Sequence, residues 1–227
     1  MQPTYLPWLG FFELMDNCDT FVYFDDAQFV KKTIHQRNKI KTKQGQLLLT
    51  VPVLSKGKLK QKINETQINN DIHWRKKHFK SIDINYCKAP YYNDYIGAIR
   101  EIYDQRYTYL VELDIKLIEL LKNIIGIKTK TILSSQLEVD GKKDKKILNI
   151  CKKLKANILY DAFGAKEILD DSYFMKNNIK LIFQNYMHPT YKQHWGEFIS
   201  HLSVLDLLMN QGPNTLKIIK SGVSCQI

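Results

Sequence analysis

Two adjacent carboxylates, Asp25 and Asp26, close a short β-branched and aromatic run, Thr20-Phe21-Val22-Tyr23-Phe24. A carboxylate at a strand end in a cleft can take a proton from a nucleophile or hold a cation; it can equally cap a turn. Side chains alternate along a strand, so one of the pair should face inward. A second polar group follows at Thr33-Ile34-His35-Gln36-Arg37-Asn38-Lys39-Ile40, rich in planar polar side chains, though a surface loop would look similar. In it Arg37 can fork onto phosphate or carboxylate, Lys39 adds a cation and Asn38 can read an amide or hydroxyl. A third, His188-Pro189-Thr190-Tyr191-Lys192-Gln193, is a turn segment that offers His188 as a competing base, with Tyr191 and Gln193 as hydrogen-bonding groups. Ser134 and Ser135 could bind phosphate or cap the next segment. No Gly-Xaa-Ser-Xaa-Gly elbow, Walker loop or GxGxxG is present. His194, Glu197 and His201 stand three and four apart, which predicts one helix face, but this is not the short two-His zinc motif. No metal and no cofactor is assigned.

The elements that must position these groups alternate. A turn over residues 2–7 runs into a helix from Trp8 to Met15. Strands are expected at Thr20–Phe24, Leu47–Val53, Lys130–Leu133, Ile158–Tyr160 and Ile179–Phe183. The Lys56–Lys62 stretch around Gly57 reads as an exposed hairpin or loop. Between His73 and Ile124 the spacing turns helical, most clearly in Tyr109–Ile124, where Leu110, Leu113, Leu117, Leu120 and Leu121 form a stripe that Gly126 ends. Further helices are expected at Lys145–Leu154, Ala165–Leu169 and Phe198–Met209, then a short helix and a disordered tail. The pattern predicts an α/β fold, a single domain over residues 1–227 with a largely parallel sheet flanked by helices and a helical segment around residues 73–125. In such sheets ligands sit beyond the carboxyl ends of the strands, where Asp25-Asp26, Ser134-Ser135 and Asn185–His188 fall.

Composition bounds the function. The 227 residues are 44% hydrophobic and 25% charged, enough apolar content for a core and inconsistent with a disordered or low-complexity chain. No apolar run is long enough to span a membrane, and residues 1–8 lack the features of a signal peptide. Cys18, Cys87, Cys151 and Cys225 are scattered with no close pair, which suits a reduced, cytoplasmic protein. Net charge is +11, unevenly spread: residues 1–30 carry five acids and no base, residues 31–80 fourteen bases against two acids. A basic block beside an acidic one suggests an anionic partner, and a solvated lysine face would look the same.

The opening Gln2-Pro3-Thr4-Tyr5-Leu6-Pro7-Trp8-Leu9-Gly10-Phe11-Phe12 resembles the start of the WbqC-like family. The likeness continues through Phe24-Asp25-Asp26-Ala27-Gln28-Phe29, Arg37-Asn38-Lys39-Ile40, Thr50–Val53 and Ile132–Ser135. It resumes at His188–Gln193 and Phe198–Leu208. It departs at Met1, where the family has a short strand and a His, and at Tyr160–Ala165, where a Ser/Gly-rich turn is expected. The resemblance implies a role in O-antigen or other surface-polysaccharide synthesis: modifying a nucleotide-linked amino sugar by adding glycine or a similar acyl group. On this reading Asp25, Asp26 or His188 is the base, and Gln2, Tyr5, Gln28, Arg37, Asn38, Lys39, Ser134, Ser135, Tyr191 and Gln193 contact substrate. The partners would be the nucleotide sugar and an activated acyl or aminoacyl donor, a charged tRNA among them. The residues also fit a non-catalytic nucleotide-, RNA- or glycan-binding module, or an adenylate-forming enzyme. The lysine block lacks interleaved aromatics, which favours a small ligand over RNA.

Overall fold

The computed structural model describes residues 1–58 and 60–222; the expected disordered tail and Cys225 lie outside the described residues. The opening turn is held by its backbone. Leu6 adopts a left-handed conformation (φ 46°), which costs a β-carbon-bearing residue energy, and its carbonyl accepts a 2.6 Å hydrogen bond from the Asn38 amide. The chain then enters α1 (Leu9–Asp16), whose residues Leu9 to Met15 are all buried, and β1 (Thr20–Tyr23).

Between them, β2 (Arg37–Thr42) and β3 (Gly45–Thr50) make an antiparallel hairpin in the register Lys39↔Leu48. The polar stretch at residues 33–40, to which the sequence pattern assigns no element, is therefore half strand. Three cations in six residues disguise it, but they alternate, so Arg37, Lys39 and Lys41 share one face. Gly45 at φ 118° supplies the turn conformation that a β-carbon would strain. Residues 51–53, expected to be strand, leave the ladder after Thr50.

The helical segment falls into α2 (Trp74–Tyr86), α3 (Tyr92–Asp104) and α4 (Leu110–Ile125). In α4 the Glu112 carboxylate accepts the Thr108 and Tyr109 amides at 3.0 and 2.9 Å, and Gly126 ends the helix at φ 93°. Leu110, Leu113, Leu117 and Leu121 are essentially inaccessible, each contributing about 2 kcal/mol of burial.

β4 (Lys130–Leu133) pairs in parallel with β1; after α5 (Asp144–Lys153), β5 (Ile158–Asp161) and β6 (Lys180–Phe183) pair in parallel with each other. The α/β class with parallel strands holds. The strands are nevertheless assembled as three two-stranded sheets rather than one. A groove of about 640 Å³ separates β1 from β5, and none of the residues nominated from the sequence lines it. At its edge Met1 donates to the Val22 carbonyl (3.1 Å) and accepts from the Phe24 amide (2.9 Å), the bonding pattern of a parallel neighbour of β1.

Two helical expectations change. Residues 163–167 form a 3₁₀ turn, followed by α6 (Asp171–Met175). The Phe198–Met209 helix begins only as α7 (Val204–Gln211), capped by the Ser203 hydroxyl, because Gly196 and His201 have positive φ (42° and 58°). His194, Glu197 and His201 thus share no helix face. No cluster of three or more metal-binding side chains occurs among the described residues. A 3₁₀ turn (Gly212–Asn214) and α8 (Thr215–Lys220) close the described chain. No helix among the described residues is long and apolar enough to cross a membrane.

Candidate functional site

Register builds the first constellation. Tyr23 lies opposite Leu133, so the residues just past the two strands, Asp25 and Ser135, meet at adjacent carboxyl ends. Asp25, 2% exposed, accepts the Ser134 hydroxyl and the Ser135 amide on Oδ1, both at 3.0 Å. On Oδ2 it accepts the Ser135 hydroxyl at 2.7 Å and the Asn64 amide at 3.2 Å. A carboxylate offers about four lone-pair sites. Three are held by Ser135 and Asn64, and the fourth is shared, because the Ser134 hydroxyl also reaches Asp26, so little of Asp25 is left to receive a substrate proton.

Asp26 accepts the Ser134 hydroxyl at 2.6 Å and forms an ion pair with Lys146. The single Ser134 hydroxyl proton serves one of the two aspartates at a time. Burial would raise the Asp26 pKa, but the Lys146 hydrogen bond and charge, with Ser134, hold it below the usual carboxylate value. Asp26 is a poor base for that reason. Four sequence-nominated residues thus come together as an anchor between β1 and β4.

The opening motif is also largely interior. Gln2 Oε1 lies 2.9 Å from His35 Nε2, while His35 Nδ1 accepts the Val30 amide at 3.2 Å. The proton therefore sits on Nε2, and burial lowers the His35 pKa to about 4. Tyr5 is fully buried, its hydroxyl bonded to Tyr103 and, at 2.8 Å, to His78 Nδ1. Asn38 spends its amide on Leu6. Gln28 is exposed on its bridge with Lys62.

Tyr191 and Gln193 join a buried network that the sequence reading missed. Asp206, fully buried, accepts the hydroxyls of Tyr86 (3.0 Å) and Tyr191 (2.9 Å). The Lys41 ammonium, also buried, reaches Gln193 Oε1 at 2.6 Å and the Glu197 carbonyl. Burial lowers the Lys41 pKa, and the charges of Asp206 and Glu197 oppose the shift. Glu13 is a third omission: buried in α1, it accepts the Tyr160 hydroxyl at 3.0 Å and the amides of Asn17 (2.6 Å) and Gln184. Lone charges inside apolar helical runs, Asp206 in Val204–Leu208 and Glu13 in Leu9–Met15, were the available signal.

The third constellation has valences to spare. Trp8 stacks on His201 (5.3 Å between ring centres) and on His188 (6.2 Å), whose own centres lie 4.9 Å apart. Gly10 makes room, since a β-carbon there would fall 2.4 Å from the Trp8 ring. His188 Nδ1 lies 2.9 Å from the Pro189 carbonyl, which can only accept, so Nδ1 carries the hydrogen. Nε2 then holds the lone pair, and it is buried with no hydrogen-bond partner among the described residues. Burial, opposed by Pro189 and reinforced by His201, lowers the His188 pKa and keeps the ring neutral near pH 7.

This cluster adjoins β2, because Ser203, two residues past His201, bridges to Trp8 and donates its amide to the Lys39 carbonyl at 2.9 Å. Arg37 and Lys39 are half-exposed, and neither enters an ion pair with an acid among the described residues. No contact joins His188 to Asp25 or Asp26 among the described residues, so the nominated residues form separate groups.

The model of the WbqC-like protein family matches residues 2–218. An uncharacterised protein of Mycobacterium tuberculosis (strain ATCC 25618 / H37Rv), Rv1507c, is 33% identical over 214 residues, covering 93% of this chain and 92% of its own. No solved structure matches. With the family model running from the opening Gln2 past the His188 segment and α7, the chain belongs to the WbqC-like protein family.

Proposed function

We propose that the protein is a transferase that acylates or aminoacylates the amine of a nucleotide-linked amino sugar in surface-polysaccharide synthesis. One observation carries this reading. Arg37 and Lys39, which among the described residues have no acidic partner, stand on a strand bonded to the loop that packs a neutral imidazole whose Nε2 is likewise unpartnered there. Arg37 and Lys39 suit the diphosphate of the nucleotide. The sugar amine attacks the acyl carbonyl carbon of the activated donor, and the donor's C–O or C–S bond breaks. His188 Nε2 takes the proton from the ammonium so formed and returns it to the leaving oxygen or sulfur. For this step the buried Nε2 has first to be uncovered. Asp25, Asp26, Ser134, Tyr5, Tyr191 and Gln193 serve as framework in this reading.

Thermal shift with UDP- and dTDP-linked amino sugars tests it: ligand at 100 times its Kd should stabilise the fold by about 2.7 kcal/mol. If none of these does more than unrelated anions, the reading fails. The enclosure of Nε2 favours a second reading, a non-catalytic module that holds the same ligand. Turnover in the wild type that His188→Gln abolishes while binding persists excludes it.

A further inference from the structure

A surface remote from these hydrogen bonds carries a different chemistry. Between Asp26 and Glu65 the sequence contains no acid and ten cations. The fold brings two of its loops together. Gln36 donates to the Val51 carbonyl at 2.9 Å and accepts the Lys32 amide at 3.0 Å, and the Phe29 amide bonds the Gln61 carbonyl at 2.9 Å. The loop at residues 30–34 is therefore tied to both ends of the stretch that starts at Val51 and ends at Gln61. From them Val30, Ile34 and Leu54 project 51%, 53% and 42% exposed. Lys31, Lys32, Lys56, Lys58 and Lys60 belong to the same two stretches of chain, all exposed and none in an ion pair with an acid among the described residues.

We infer that this face docks on an anionic lipid bilayer. The lysines match the charge of acidic headgroups, and aliphatic side chains gain free energy by entering the acyl boundary. Nucleic acid would draw the same lysines but offers nothing to valine, isoleucine and leucine. A surface built for RNA carries aromatic or guanidinium planes for bases to stack on. Neither loop contains an aromatic residue or an arginine in its exposed stretch. Three scattered aliphatics do not make a protein-binding core, whereas on a membrane the apolar area they bury adds to the electrostatic attraction of a polybasic patch and gives reversible attachment. The protein would thus work at the bilayer face and not span it.

Co-sedimentation with vesicles tests the inference. The full chain should pellet with vesicles of phosphatidylglycerol and phosphatidylcholine and stay in solution with phosphatidylcholine alone. Reversing Lys56, Lys58 and Lys60 to Glu should weaken binding on the order of a hundredfold, roughly fivefold for each lysine before counting the added acid. Replacing Val30, Ile34 and Leu54 by Ser should also release the protein while leaving its affinity for a soluble polyanion such as heparin unchanged. Circular dichroism and the melting temperature confirm that each variant folds. The inference is overturned if the wild type ignores anionic vesicles, or if the serine variant pellets as well as the wild type. Tighter binding of an RNA oligonucleotide than of vesicles would likewise overturn it.

Discussion

The Asp25 anchor and the His188 cluster both gather polar groups from distant parts of the chain, yet they close their hydrogen bonds differently. Asp25 receives three donors of its own and shares the Ser134 hydroxyl with Asp26, which Lys146 holds in turn. His188 has one nitrogen tied to its own loop and one tied to nothing, beside a strand whose Arg37 and Lys39 have no acidic partner. A saturated carboxylate holds strands together, and a further ligand there would have to break bonds already made. An unfilled valence beside unpaired cations can gain by binding. The residue types that look most catalytic on paper are therefore the framework here, and the functional reading moves to the histidine.

Four changes would break or sharpen that contrast, taken from the largest expected effect. Asp25→Ala leaves the Ser135 hydroxyl and amide N–H and the Asn64 side chain without their shared acceptor at a buried position, while Ser134 keeps Asp26, and should cost about 3 kcal/mol in urea unfolding. A variant of wild-type stability without turnover would return Asp25 to the chemistry. Arg37→Ala should leave unfolding unchanged and weaken nucleotide-diphosphate binding, read by calorimetry, by about 2 kcal/mol, or roughly thirtyfold. Equal affinity would remove the anion clamp. Gly10→Ala forces the Trp8 ring off its stack with His201 and His188. It should cost about 1 kcal/mol and shift Trp8 fluorescence; an unchanged spectrum would mean the ring is not wedged.

The smallest effect concerns a buried group in neither constellation. Asp114 is fully buried with both carboxylate oxygens unpartnered, and burial raises its pKa well above 3.8. The folded state then binds its proton more tightly than the unfolded chain does. That contribution to stability is complete below the unfolded value near 4 and is lost as pH rises through the folded one. Asp114→Asn should flatten the decline in stability above pH 4. An identical slope in the two proteins would assign the decline elsewhere.

Local periodicity made much of the frame legible. The Thr20–Phe24 and Lys130–Leu133 runs, the leucine stripe of α4 and its Gly126 stop announce themselves within a few residues. The carboxyl-end rule even brought Asp25 and Ser134 to one place. β2 escaped because a strand carrying Arg37, Lys39 and Lys41 has a loop's composition, and α7 was drawn too long because the left-handed turn at His201 leaves no periodic trace. The site was less legible than the frame. A sequence names donors and acceptors, but whether an acceptor is full depends on partners such as Asn64 and Ser135, 39 and 110 positions from Asp25. Trp8 and His188 meet across most of the chain, and Lys41 finds Gln193 152 positions away. None of these pairings is written in spacing.

The central claim is that His188, neutral and unpartnered at Nε2 among the described residues, is the group offered to substrate. Nitrogen-resolved NMR of the histidine rings at neutral pH reads it directly. The account predicts a hydrogen on His188 Nδ1 and a bare Nε2. The Nε2 resonance should move when an amino-sugar nucleotide is added, and equally so in Asp25→Asn. A hydrogen found on Nε2, or a His188 ring untouched by a nucleotide sugar that demonstrably binds, would contradict it.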